Sequence, residues 1–139
     1  MSRLEELESF ENELEDKESE AQEVEEQLNE VQSRIEAIES AINNLENDEE
    51  VKSSIESNRE QAEAERENVE NKKEQIENEL NEMEEKLNEM DRENTESESV
   101  LSELESNGED VSDAKGIVED RKGRIERSKE IINRIRSKM

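Results

Sequence analysis

Acid–base chemistry in this sequence rests on carboxylates alone. Asp and Glu number 45, and there is no His, Cys or Tyr to serve as a base, nucleophile or soft metal ligand. A carboxylate works as a general acid or base near neutral pH only when burial or a like charge raises its pKa, and residues strung along a solvated helix have neither. Zinc sites need imidazole or thiolate ligands, and both are missing. Acidic residues do cluster between Asn107 and Asp113, but not at the spacing of an EF-hand loop. Gly108, Gly116 and Gly123 stand too far apart to cradle a phosphate. The expectation is a protein without catalytic residues, metal or cofactor.

The 19 basic residues are more informative, because they are unevenly placed. Nine fall within residues 110–139, against six acidic ones, leaving that segment at +3 and the first 109 residues at −29. Arg121, Lys122, Arg124, Arg127, Lys129, Arg134, Arg136 and Lys138 form a basic stretch that is a candidate docking element for an acidic protein surface. The plainer account is that a basic helix relieves the self-repulsion of an acidic one and complements its own C-terminal dipole. Nucleic acid is disfavoured as a partner, since the acidic body repels phosphate and no aromatic residue accompanies the cations for base stacking.

Composition then limits what can position these groups. Hydrophobic residues make up 27% of the 139-residue chain, charged residues 46%, and Phe10 is the one aromatic; the net charge is −26. So little apolar volume leaves two outcomes, disorder or long helices that each need only a narrow apolar seam. Spacing decides for the helices. Leu7, Leu14, Ala21, Leu28, Ile35 and Ile42 recur every seven residues, and Phe10, Lys17, Val24, Val31, Ile38 and Leu45 follow each by three. A second seam runs through Ile55, Ala62, Val69, Ile76, Met83, Met90, Ser97 and Leu104, with Lys52, Arg59, Arg66, Lys73, Leu80, Leu87, Asn94 and Leu101 preceding each by three. A third runs through Val111, Val118, Ile125, Ile132 and Met139, joined by Ala114 and Ile135.

The breaks fall at Asn43–Glu50 and at Ser106–Asp110, where Asn-Gly stops a helix and Asp110 suits the cap of the next. Ser2 with Glu5 reads as a capping box. Helices are therefore expected over 1–46, 48–106 and 110–139, in one elongated helical domain. The unbroken spacing Leu104, Val111, Val118 leaves a second possibility, one continuous helix through Gly108.

In an antiparallel coiled coil, facing residue numbers sum to a constant. Ile42 with Ile55, Ile35 with Ala62, Leu28 with Val69, Ala21 with Ile76, Leu14 with Met83 and Leu7 with Met90 all sum to 97. Met90 with Ile125 and Met83 with Ile132 sum to 215. The fold class expected is all-α: a long antiparallel coiled-coil hairpin extending to an elongated three-helix bundle, N-shaped and up-down-up, with the second helix as spine. Its core seam comprises Leu7, Leu14, Leu28, Ile35, Ile42, Ile55, Val69, Ile76, Met83, Met90, Leu104, Ile125 and Ile132. Met83 and Met90 suit promiscuous binding surfaces, but at seam positions they read as core. Arg59, Arg66 and Lys73 face Ile38, Val31 and Val24, so their stems lie on aliphatics while the charged heads reach neighbouring glutamates.

The function expected from this pattern is non-enzymatic: a structural or assembly protein working through helix–helix contacts, with homo-oligomers among its products. A runner-up is an accessory adaptor, chaperone or scaffold of the secretion-effector or viral-assembly kind, docking through the basic C-terminal helix. An acidic mimic of DNA that occupies a DNA-binding protein ranks third. Aliphatic runs no longer than Val100-Leu101 or Ile131-Ile132 build neither a signal peptide nor a membrane span, so a cytoplasmic location, or export by a non-classical route, is the default.

Overall fold

A computed structural model describes residues 2–139. Three helices account for nearly all of them: α1 over Arg3–Asn44, α2 over Glu49–Ser106 and α3 over Ser112–Lys138, with no strand among the described residues. The protein is all-helical.

Each helix begins at an oxygen-bearing cap. Glu5 N–H donates to Ser2 Oγ at 3.2 Å and Glu6 N–H to the Ser2 carbonyl at 3.0 Å. Asp48 does the same for α2, its carboxylate accepting from Val51 N–H at 3.2 Å and its carbonyl from Lys52 N–H. At α3 the Asp110 carboxylate accepts from the Ser112 backbone at 3.2 Å and the Ser112 hydroxyl at 2.7 Å, while the Val111 carbonyl takes the first helical bond from Lys115. These hydrogen bonds hold the Asp110 carboxyl below its usual pKa.

The chain turns at Gly108. Its φ is +89°, and Glu109 N–H reaches the Leu104 carbonyl while Gly108 N–H reaches Glu105, the pairing of a Schellman C-cap. The heptad spacing passes through this point, but the backbone does not continue as helix. A left-handed residue inside a helix is strained for any side chain with a Cβ and free for glycine.

The helices group into two compact units: Met1–Ser19 with Glu77–Ser137, and Glu20–Ile76 with Lys138–Met139. In the first, all three helices meet. Arg3 pairs with Glu93 at 2.7 Å and Lys17 with Glu79, so α1 and α2 run antiparallel. Lys115 with Glu105, Lys129 with Asp91 and Arg136 with Glu84 each sum to 220, so α3 is antiparallel to α2. Arg127 with Glu11 and Arg134 with Glu18 differ by a constant 116, which makes α3 parallel to α1 and in contact with it. This is an up-down-up three-helix bundle. Its core is Leu7, Leu14, Leu80, Met83, Leu87, Met90, Ile125, Ile132 and Ile135, all buried.

The second unit is a two-helix antiparallel hairpin of α1 and α2. Val31, Ile35 and Ala62 form its buried cluster with Ile38 packed against it, the 35–62 register of the 97 sum. Arg34 pairs with Glu65 at 2.5 Å and Arg59 with Glu39 at 3.3 Å along its edges.

Candidate functional site

The seam residues reach different depths. Leu7, Leu14, Ile35, Val69, Ile76, Met83, Met90, Ile125 and Ile132 are buried, whereas Leu28, Ile42 and Ile55 are only half-buried. Those three lie in the two-helix unit, where no third helix covers them. Leu104, counted in the core seam, is 39% exposed and is no core residue. The 97 sum explains this: it pairs Arg3 with Asn94, so nothing on α1 faces α2 beyond that layer.

Arg59 and Arg66 behave as snorkelling stems. Arg59 is half-buried, pairing with Glu39 and Glu63, and Arg66 donates to Gln32 Oε1 at 3.3 Å. Lys73 is half-buried beside Val24 and Leu28, in a shallow depression that Lys138 and Met139 also line.

The basic C-terminal stretch is largely engaged within its own chain. Arg134 clasps Glu18 with two guanidinium nitrogens at 2.6–3.2 Å, which raises its pKa. Arg127 reaches Glu11 at 3.8 Å, Lys129 reaches Asp91 at 3.7 Å, Arg124 lies 3.6 Å from Asp120, and Arg136 binds Glu84 and Asn81. Lys138 is half-buried. Of the eight candidate docking residues, Lys122, Arg127 and Arg134 are exposed, and Arg121 is half-buried with its Nε enclosed and lacking an acceptor.

Two buried polar side chains sit within the three-helix core. Asn94 donates through Nδ2 to the Val118 carbonyl at 3.0 Å, leaving Oδ1 buried and unpaired. Ser128 is fully buried with an unpaired hydroxyl. The register sums place Ser128 in one layer with Phe10 and Leu87. Ser128 was legible as a position three after Ile125, but its polarity hid it from an apolar pattern.

The surface feature absent from the sequence reading is an open groove of about 560 Å3 between α2 and α3. Val100, Leu101, Ala114, Ile117 and Val118 provide its apolar floor and walls, and Glu93, Glu96 and Arg121 its polar margin. Val100 is 55% exposed and Ile117 45%; with Leu104 they are three of the four exposed large hydrophobics in the described chain, the other being Val51. The available signal was the same register sum, which leaves residues after Asn94 without an α1 partner.

Among the described residues no group of acidic side chains is arranged to hold a metal ion, and no helix is long and apolar enough to cross a membrane. In comparisons with family models, characterised proteins and solved structures, neither the sequence nor the fold finds a match.

Proposed function

We propose that this chain is a non-enzymatic coiled-coil protein of structural or assembly type, working through helix–helix contacts with other protein chains, further copies of itself included. The observation that carries the reading is the contrast in burial along one continuous pair of helices. Where three helices meet, Leu80, Leu87, Ile125, Ile132 and Ile135 are sealed from solvent; the two-helix unit buries Val31, Ile35, Ala62, Val69 and Ile76 but leaves Leu28, Ile38, Ile42 and Ile55 half-exposed. Adding helices to a thin bundle is the common way to bury such seams.

The basic α3 carries less weight as a docking tail, because Arg127, Arg134, Arg136 and Lys129 already hold acidic partners of α1 and α2. Neutralising the acidic bundle from within accounts for its charge. Light scattering coupled to size exclusion tests the self-assembling form of the proposal. A mass that rises with concentration at micromolar levels is expected; a strict monomer that melts cooperatively there contradicts self-association through the two-helix segment.

A further inference from the structure

The α2–α3 groove lies in a different part of the molecule from the half-buried two-helix seam, and its chemistry is more specific. We propose that it is a docking site for a basic amphipathic helix of a partner protein, bound along the line α1 would follow if it ran further, antiparallel to α2 and parallel to α3.

The first support is register. Along the stripe of α2 that faces α1, Glu79 meets Lys17 and Glu93 meets Arg3; the next position, seven on, is Val100. Along α3 the α1-facing stripe holds Ile131, Arg124 and Ile117 at seven-residue steps. Ile131 is half-buried where α1 runs beside it, and Ile117 is 45% exposed where α1 is absent. Val100 and Ile117 are thus equivalent flanking positions on the two helices, and Leu101 and Ala114 lie between them on the groove floor. The geometry is that of a three-helix bundle lacking one strand. Among the described residues α1 begins at Arg3, with Ser2 Oγ accepting from Glu5 N–H, and it does not line the groove.

Charge identifies the missing strand. Where α1 is present, α3 offers Arg134 and Arg127 to Glu18 and Glu11. One and two heptads earlier on the same stripe, beside the groove, stand Asp120 and Asp113. The sign reverses. On the α2 side the outer margin carries Glu96 and Glu103, also seven apart and both exposed. Asp120 is partly offset by Arg124 at 3.6 Å, yet remains half exposed. An acidic helix such as α1 of a second copy would meet like charge on both edges, which disfavours it. A helix with Lys or Arg flanking its apolar stripe meets complementary charge on both. Arg121 is the one cation lining the groove, at its α1 end, so the complementary acidic margin lies further along, beside Val100 and Ile117.

The open stretch covers about two heptads, so the affinity expected is in the micromolar range rather than tighter. The test uses the 139-residue chain and two fluorescent synthetic peptides of about 20 residues, sharing one heptad stripe of leucines but flanked by lysine in one and glutamate in the other. Anisotropy in about 0.1 M salt should show the lysine-flanked peptide binding roughly tenfold or more tightly than its counterpart. Val100→Gln with Ile117→Gln should weaken that binding at least about tenfold while leaving helical circular dichroism unchanged, since both side chains are already exposed. Asp113→Lys with Asp120→Lys should reverse the preference between peptides. Equal binding of the two peptides, or no binding, overturns the proposal. So does binding indifferent to Val100→Gln/Ile117→Gln, or a dimer that those substitutions dissolve, which would give the groove to a second copy. None of these results bears on whether the two-helix seam self-associates, so the two readings can fail separately.

Discussion

The two compact units contain the same α1 and α2 yet bury them differently. Where α1, α2 and α3 all meet, the seam is closed, and layers that alternate with the seven-residue rungs are filled by Leu80 and Leu87. In the two-helix unit the equivalent alternate layers hold Arg59, Arg66 and Lys73, each half-buried. A two-stranded seam is thin enough for a long cation to cross it and place its charge in water. A three-stranded one is not, because the third helix blocks the exit. Lys17 is the exception that shows the rule: its side chain is 14% exposed, but it sits near the limit of the three-helix unit and ends on Glu79. The number of strands therefore biases which residues stand between the aliphatic rungs, without excluding a cation such as Lys17 that finds a carboxylate.

This contrast can be broken most directly by truncating one rung in each unit. Ile132→Ala removes a fully buried side chain and should cost about 3 kcal/mol, whereas Ile55→Ala, half-buried, should cost about 1 kcal/mol. Urea denaturation followed by circular dichroism reads both, and equal losses would contradict the difference in closure. A smaller effect of opposite sign is expected from Arg59→Leu and Arg66→Leu. Each should stabilise the hairpin by roughly 1 kcal/mol by exchanging a solvated head for apolar contact. Each should also strengthen self-association, since the hairpin then exposes a more continuous apolar face; a rise in melting temperature with no gain in mass would separate the two consequences.

The smallest expected effect sharpens the comparison at the start of α3, which belongs only to the three-helix unit. The Asp110 carboxyl is held below its usual pKa first by the Ser112 hydroxyl and then by the Ser112 amide. Its contribution is therefore complete above the ordinary carboxylate value of about 4 and is lost as pH falls through the depressed folded value. Asp110→Ala should lower the melting temperature slightly at pH 7, and the difference from the native chain should vanish in strong acid. A difference that persists there would assign the effect to something other than the cap.

How much of this was legible beforehand depends on what each feature needs. The helical class and antiparallel pairing follow from spacing alone, because seven-residue recurrence and a constant sum are properties of the string. Leu7 with Met90 or Ile35 with Ala62 requires no coordinates. The contact of α3 with α1 was not legible in that way. It rests on Arg127–Glu11 and Arg134–Glu18, which lie at flanking positions where a Glu-rich chain offers many equally good partners. The exposure of Leu104 was also hidden, because a seam shows that a residue faces inward without showing whether a partner helix extends so far. The basic stretch illustrates the converse: charge asymmetry is obvious in the string, while the fact that most of its cations are satisfied within the chain is visible only in three dimensions.

Gly108 has one further consequence. A Cβ built there touches nothing within 4 Å, so the space around the turn tolerates a methyl group; only the φ of +89° resists it. That resistance amounts to about 1–2 kcal/mol for an L-residue, while a straight helix through the same point would gain from losing a glycine. Leu104, Val111 and Val118 would keep their seven-residue step in the straight form. The handedness of a single backbone residue thus helps keep α3 with its own chain rather than traded reciprocally with a neighbour. Gly108→Ala should shift the protein toward such an exchanged pair, seen as a slowly interconverting dimer on a sizing column.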